Sequence, residues 1–135
     1  MPTETAHEAQ LRQWAQGVTT CMAATELLIR AGFAEPGQPW VNPDGWIDFA
    51  EIEKNIGALS GGEQRLLRIA ASLFGAMKID LGNEIAGIDR THLELVLAAL
   101  SAVHGEGADI VHHAGGGASL VTLPTAYPWP GETSS

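Results

Sequence analysis

Residues 59 to 65 read Leu-Ser-Gly-Gly-Glu-Gln-Arg, and their types and spacing suit an anion. Ser60 can accept a hydrogen bond from the amide three residues on, while the Glu63 carboxylate reaches back to the amide of Ser60. That reciprocal pair is a capping box, and it predicts a helix beginning at Gly61. Gly61 and Gly62 then fall in the first turn, where backbone amides lack partners and the helix dipole is positive. Arg65 lies one turn further along and can pair with an incoming phosphate or with acidic neighbours. Ser60, Gly61, Gly62 and Arg65 are therefore the candidate phosphate-binding set, against the plainer reading that the motif only starts a helix.

These seven residues resemble the signature motif of ABC-type ATPases. In that family the serine and glycines close over the terminal phosphate of a nucleotide held by a second subunit. The resemblance implies a buried strand in register with Asn83-Glu84, followed by a turn at Gly87-Ile88-Asp89. Three features depart from the pattern. Residues 78 to 82 are not a continuous apolar run, Asn83 stands where the family has aspartate, and no phosphate-binding loop is present. That loop requires Gly-x-x-x-x-Gly-Lys-Ser/Thr, and the two lysines here, Lys54 and Lys78, are not in that frame. Phosphate sensing without ATP hydrolysis is the form in which the resemblance survives.

Other reactive side chains form weaker patterns. His104, His112 and His113 cluster in sequence but lack the spacing of a metal site. Ser60 and His92 can be drawn as nucleophile and base, yet no nucleophile elbow surrounds the serine. Glu84 is the carboxylate that a small hydrolase or metal-dependent enzyme would use. No catalytic residue, metal ligand or cofactor is assigned from these patterns.

Composition narrows the partners. Seven basic and sixteen acidic residues give a net charge of −9. Such a chain does not present the basic face needed to bind nucleic acid directly. Another protein, or a second copy, is the expected partner. Cys21 is the single cysteine; it lies among apolar neighbours and reads as a buried structural thiol. Residues 1–5 show no secretory signal and no apolar run reaches membrane-spanning length, so a cytoplasmic location is expected.

The elements that must position these residues are mainly helical. Apolar spacing predicts a first helix over Thr5 to Arg30, stopped by Gly32, with Gly17 and Thr19-Thr20 as a place where it can divide. Trp14 is expected in the core. Trp40-Val41 and Trp46-Ile47 flank Asn42-Pro43-Asp44-Gly45, which predicts one short hairpin near residues 39–48 leaning on the helices. Asp48 is expected to cap a short helix through a box with Glu51. The helix after Ser60 carries a wide apolar face of Leu66, Leu67, Ile69, Ala70, Ala71, Leu73, Phe74 and Met77, which predicts a central position. Residues 81–86 form one further turn or two. Asp89 should cap a last helix ending near His104-Gly105, with Leu93, Val96, Leu97, Leu100 and Val103 inward.

The expected fold is a mainly α, compact helical domain of four or five helices over residues 1–104. Residues 105–135 read as a Gly- and Pro-rich, partly mobile tail in which Val111 and Leu120-Val121 can add an edge strand. Tyr127-Pro128-Trp129-Pro130 can dock on a partner or on the parent domain. Trp40, Trp46, Tyr127 and Trp129 are the candidate interaction residues. The pattern across residues 20 to 104 is similar to small uncharacterised proteins of high-GC bacteria and their phages. The expectation is a non-enzymatic interaction or regulatory accessory protein, such as one of a phage or mobile element. A phosphate sensor and a small hydrolase are the alternatives.

Overall fold

A left-handed glycine at position 17 (φ 95°) divides what apolar spacing joins into one helix. The computed structural model describes residues 3–132. Helix α1 (Ala6–Ala15) opens on a capping box between Thr5 and Glu8, and α2 (Thr19–Ala31) follows the break. Gly32 at φ 84° ends α2 as expected. Its amide bonds to Ile29 O, and the Phe33 amide bonds to Leu28 O at 2.8 Å, the paired bonds of a Schellman cap.

The short hairpin forms where the sequence places it. Strands β1 (Val41–Asn42) and β2 (Trp46–Ile47) are antiparallel, with Val41 opposite Ile47 and Asn42 opposite Trp46. The Asn42 side chain accepts from the Asp44 amide at 2.8 Å, and Gly45 takes φ 93°. Asp48 caps the amide of Ala50 to start a 3-10 turn (Phe49–Glu51) that runs into α3 (Ile52–Asn55). The box with Glu51 does not form, because the Asp48 amide already donates to Trp40 O at 2.8 Å and Glu51 pairs with Lys54.

Helix α4 (Gly61–Phe74) begins with the expected capping box and ends at Gly75. Helix α5 (Leu81–Ala86) and helix α6 (Arg90–His104) begin at Asp80 and Asp89 caps. Helix α2 packs against α1, α4 and α6, while α4 also touches α3, α5 and the 3-10 turn. The two central helices bury Leu27, Leu28, Leu66, Leu67 and Ile69 in one continuous core. The protein is thus a mainly helical compact domain, and counting Phe49–Asn55 as one run gives five helices of seven residues or more among the described residues.

Three core assignments differ from expectation, the first being Phe74, which is 39% exposed at the end of α4 and stacks its ring on the buried Phe49. Trp14 is 38% exposed, because α1 turns Leu11 and Ala15 inward and Trp14 leans on Trp46 across the surface, centroids 6.5 Å apart. On α6 the buried stripe is Leu95, Val96, Ala98 and Ala99, while Leu97 and Leu100 face outward. Alanines at the contact let α6 approach α2 closely, and that packing outweighs the larger side chains one step round the helix.

A second antiparallel hairpin follows the helical domain. Strands β3 (Gly107–His112) and β4 (Ala118–Leu123) pair in register from Gly107–Leu123 to His112–Ala118. Sequence spacing offers only an edge strand here; the chain instead pairs with itself. Among the described residues no helix is long and apolar enough to cross a membrane.

Candidate functional site

At the N-terminus of α4 the serine hydroxyl and the Glu63 amide lie 3.3 Å apart, and Glu63 returns its carboxylate to the Ser60 amide at 3.1 Å. Both groups of the box are therefore used internally, and Glu63 already supplies negative charge to the positive end of the helix. Arg65 is already engaged. Its guanidinium donates to the carbonyl of Asn83, crossing Gly87, where any Cβ would collide with it. Ser60, Gly61 and Gly62 adjoin one another, and Arg65 is engaged elsewhere.

The segment that the ATPase resemblance makes a strand is α5, a helix capped by Asp80. Glu84 on that helix is 8% exposed and faces Arg68 at 3.7 Å. His92 belongs to the Asp89 cap, with its amide on the Asp89 carboxylate at 2.8 Å. Three other histidines bond separately: His113 to Ser119, His104 to the carbonyl of Gly105 and His7 to the carbonyl of Ala34. No group of three His, Cys, Asp or Glu side chains is arranged for a metal among the described residues. Cys21 is buried, as expected, and burial raises its thiol pKa.

The four candidate aromatic residues divide. Trp40 is 3% exposed and its indole N–H donates to Phe33 O at 2.7 Å, so it is a core residue and not an interaction surface. The reason is the Pro39 turn, which delivers the indole under the end of α2 with its polar atom satisfied. Trp46 remains partly open beside Trp14. Tyr127 and Trp129 return the chain to the helical domain. The Tyr127 amide donates to Ser101 Oγ at 2.9 Å, and Arg30 lies 5.0 Å from the Trp129 ring centroid.

Arg30 is the hub of that return. It donates to Pro130 O at 3.3 Å, to Glu132 at 2.6 Å and to Glu26 at 2.7 Å. Arg12 forks onto the same Glu26 at 2.8 and 3.0 Å. Burial on its own pushes the Glu26 carboxyl up, but the hydrogen bonds and charges of Arg12 and Arg30 overcome it and hold the pKa below the ordinary value. Glu26 in turn raises the pKa of Arg12. Beside this cluster, Met22, Ala23, Ala102 and Trp129 line a groove of about 550 Å³.

No protein family, curated protein or solved structure matches the chain. The most unusual part of the surface is the β3–β4 hairpin. Ile110, Val111, Leu120, Val121 and Leu123 are all exposed, Leu120 at 76%, and none of them belongs to the hydrophobic core. Cross-strand pairing puts Ile110 and Leu120 on one face, and Val111, Val121 and Leu123 on the other. A sheet that is apolar on both faces is normally covered on both.

Sequence reasoning missed this hairpin, though a signal was present. Two runs rich in β-branched and apolar residues flank Gly115-Gly116-Gly117, which is a hairpin pattern with a glycine-bearing loop. Assigning the region to a loose tail gave the glycines more weight than the flanking alternation.

Proposed function

We propose that the protein is a non-enzymatic interaction protein, an accessory or regulatory factor that works by binding another polypeptide chain through the β3–β4 hairpin. The observation that carries this reading is the exposure of five aliphatic side chains on both faces of a hairpin outside the core. Contiguous apolar surface of that kind mostly marks a place where another chain docks. An isolated two-stranded hairpin is also marginal in water, so a partner that covers it gains binding energy and orders it further. The acidic body supports the choice of a protein partner, since the net charge of −9 repels a phosphate backbone.

The phosphate-sensing alternative has less support, because Arg65 is committed to Asn83 and Glu63 fills the helix end. The test is site-specific photo-cross-linking in cells expressing the protein. A photoreactive side chain at Leu120 should give discrete protein adducts, whereas the same group at the exposed Lys54 of the helical body should not. Equal labelling from both positions, or none from either, would remove the reading.

A further inference from the structure

The hairpin has two outer edges, and they are not alike. The His113 amide bonds to Gly117 O at 3.1 Å, so these two residues form a hydrogen-bonded cross-strand pair. Hydrogen-bonded and open pairs alternate along an antiparallel ladder. Gly107, Asp109 and Val111 are therefore bonded to β4, while Ala108, Ile110 and His112 turn their amides and carbonyls outward. On β4 the outward residues are Ala118, Leu120 and Thr122.

The β3 edge is blocked at its centre by one of its own side chains. Asp109 Oδ1 accepts from the outward amide of Ile110 at 2.8 Å, which occupies a donor and places a negative charge on that edge. Charges on edges are the usual device against further pairing. The β4 edge has no such protection. Ala118-Ser119-Leu120-Val121-Thr122-Leu123 carries no charge and no proline, and every residue is exposed.

We infer that β4 pairs along this open edge with β4 of a second copy, giving a two-fold symmetric dimer joined by a four-stranded sheet. The inference rests on the interaction reading above and names its partner. The argument for a second copy is self-complementarity. Ala118, Leu120 and Thr122 are spaced evenly about Leu120. An antiparallel copy centred there sets Leu120 opposite Leu120 of the second copy and Ala118 opposite Thr122 of the second copy. Each outward amide then meets an outward carbonyl. On one face Ile110 and Leu120 join the same pair of the second copy in an unbroken aliphatic row.

Charge favours the same arrangement. Between residues 107 and 123 the chain has one acidic residue, Asp109, and no lysine or arginine, against −9 for the whole molecule. In the four-stranded sheet the two Asp109 side chains occupy the outermost strands, separated by three strand spacings or about 14 Å. That exceeds the screening length of about 8 Å at physiological salt. The blocked amide and the charge of Asp109 on each β3 edge disfavour further addition, so assembly favours two copies over a fibre. One six-residue edge is a small interface, so the dimer is concentration-dependent.

Light scattering after size exclusion, from micromolar to millimolar loading, tests this. The wild-type mass should rise from monomer to dimer. Leu120→Pro removes an amide that the hairpin does not use internally and should stay monomeric over the same range, with the helical melt unchanged. The register has its own test: oxidation should cross-link Leu120→Cys chains at least several-fold faster than Ser119→Cys chains, whose thiols would be offset by two residues. A wild type that remains monomeric, a Leu120→Pro protein that still dimerises, or equal cross-linking of the two cysteine variants would overturn the proposal. A monomer whose position 120 still cross-links to a different protein would overturn only the second copy. A monomer silent in both experiments would remove the interaction reading as well.

Discussion

The molecule holds two β-hairpins built to opposite plans. β1–β2 has two residues per strand and is held by what lies beneath it, with Val41 and Ile47 buried and Trp40 seated under the end of α2. β3–β4 has six residues per strand and is held by its own ladder, with its aliphatic side chains left in water. The shorter hairpin places Val41 and Ile47 in the hydrophobic core, while the longer one contributes no residue to it. Strand length therefore says little about which hairpin matters for folding; the direction of the apolar side chains decides that.

The comparison can be broken most severely at Trp40. Trp40→Ala removes a buried indole and leaves Phe33 O without its donor, so stability should fall by about 3–5 kcal/mol in denaturant melts of the helical body. Next comes Ile47→Ala, which opens a cavity beneath the short hairpin and should cost about 2–4 kcal/mol by the same measurement. If either variant melts like wild type, the short hairpin is not part of the core unit.

The return of the chain after the long hairpin gives an intermediate effect. Arg30→Ala releases Trp129, Pro130 and Glu132 and should cost about 1 kcal/mol, since the cation–π contact and the ion pair are partly exposed. Glu26 adds a pH signature to the same cluster. Its pKa is depressed in the folded state, so its contribution is present above the ordinary carboxylate range and is lost as pH falls through the folded value. The melting temperature of wild type should fall more between neutral and acid pH than that of Glu26→Gln; parallel curves would show that Glu26 is not coupled to folding.

The smallest effect sharpens the contrast. Leu120→Ser in the long hairpin should leave the helical melt of dilute protein within about 0.5 kcal/mol of wild type, although leucine is lost as in a core substitution. A larger loss would mean that the hairpin is covered by its own domain.

Local hydrogen-bond chemistry was the most legible layer. The caps at Ser60 and Asp89 and the stop at Gly32 each follow from a few adjacent residues, and each forms as read. The candidate phosphate site was legible only as a helix start. Nothing near Arg65 in sequence reveals that the carbonyl of Asn83 and the open space over Gly87 will hold its guanidinium. Trp40 and Trp46 look equivalent as neighbours of one turn, yet one is buried and the other is partly open.

What the chain determined by itself was its helical class, most of its helix ends, the short hairpin and its acidic balance of charge. These depend on hydrogen bonds and periodicities that span a turn or two, so a short window contains their causes. Only the tertiary structure decided which face of α6 is buried, that Trp14 faces water, that Arg30 clasps the returning tail, and that the last strands pair with each other outside the core. Those outcomes depend on how closely elements distant in sequence can approach, through alanines at one contact and an unoccupied carbonyl at another, and no local window holds that information.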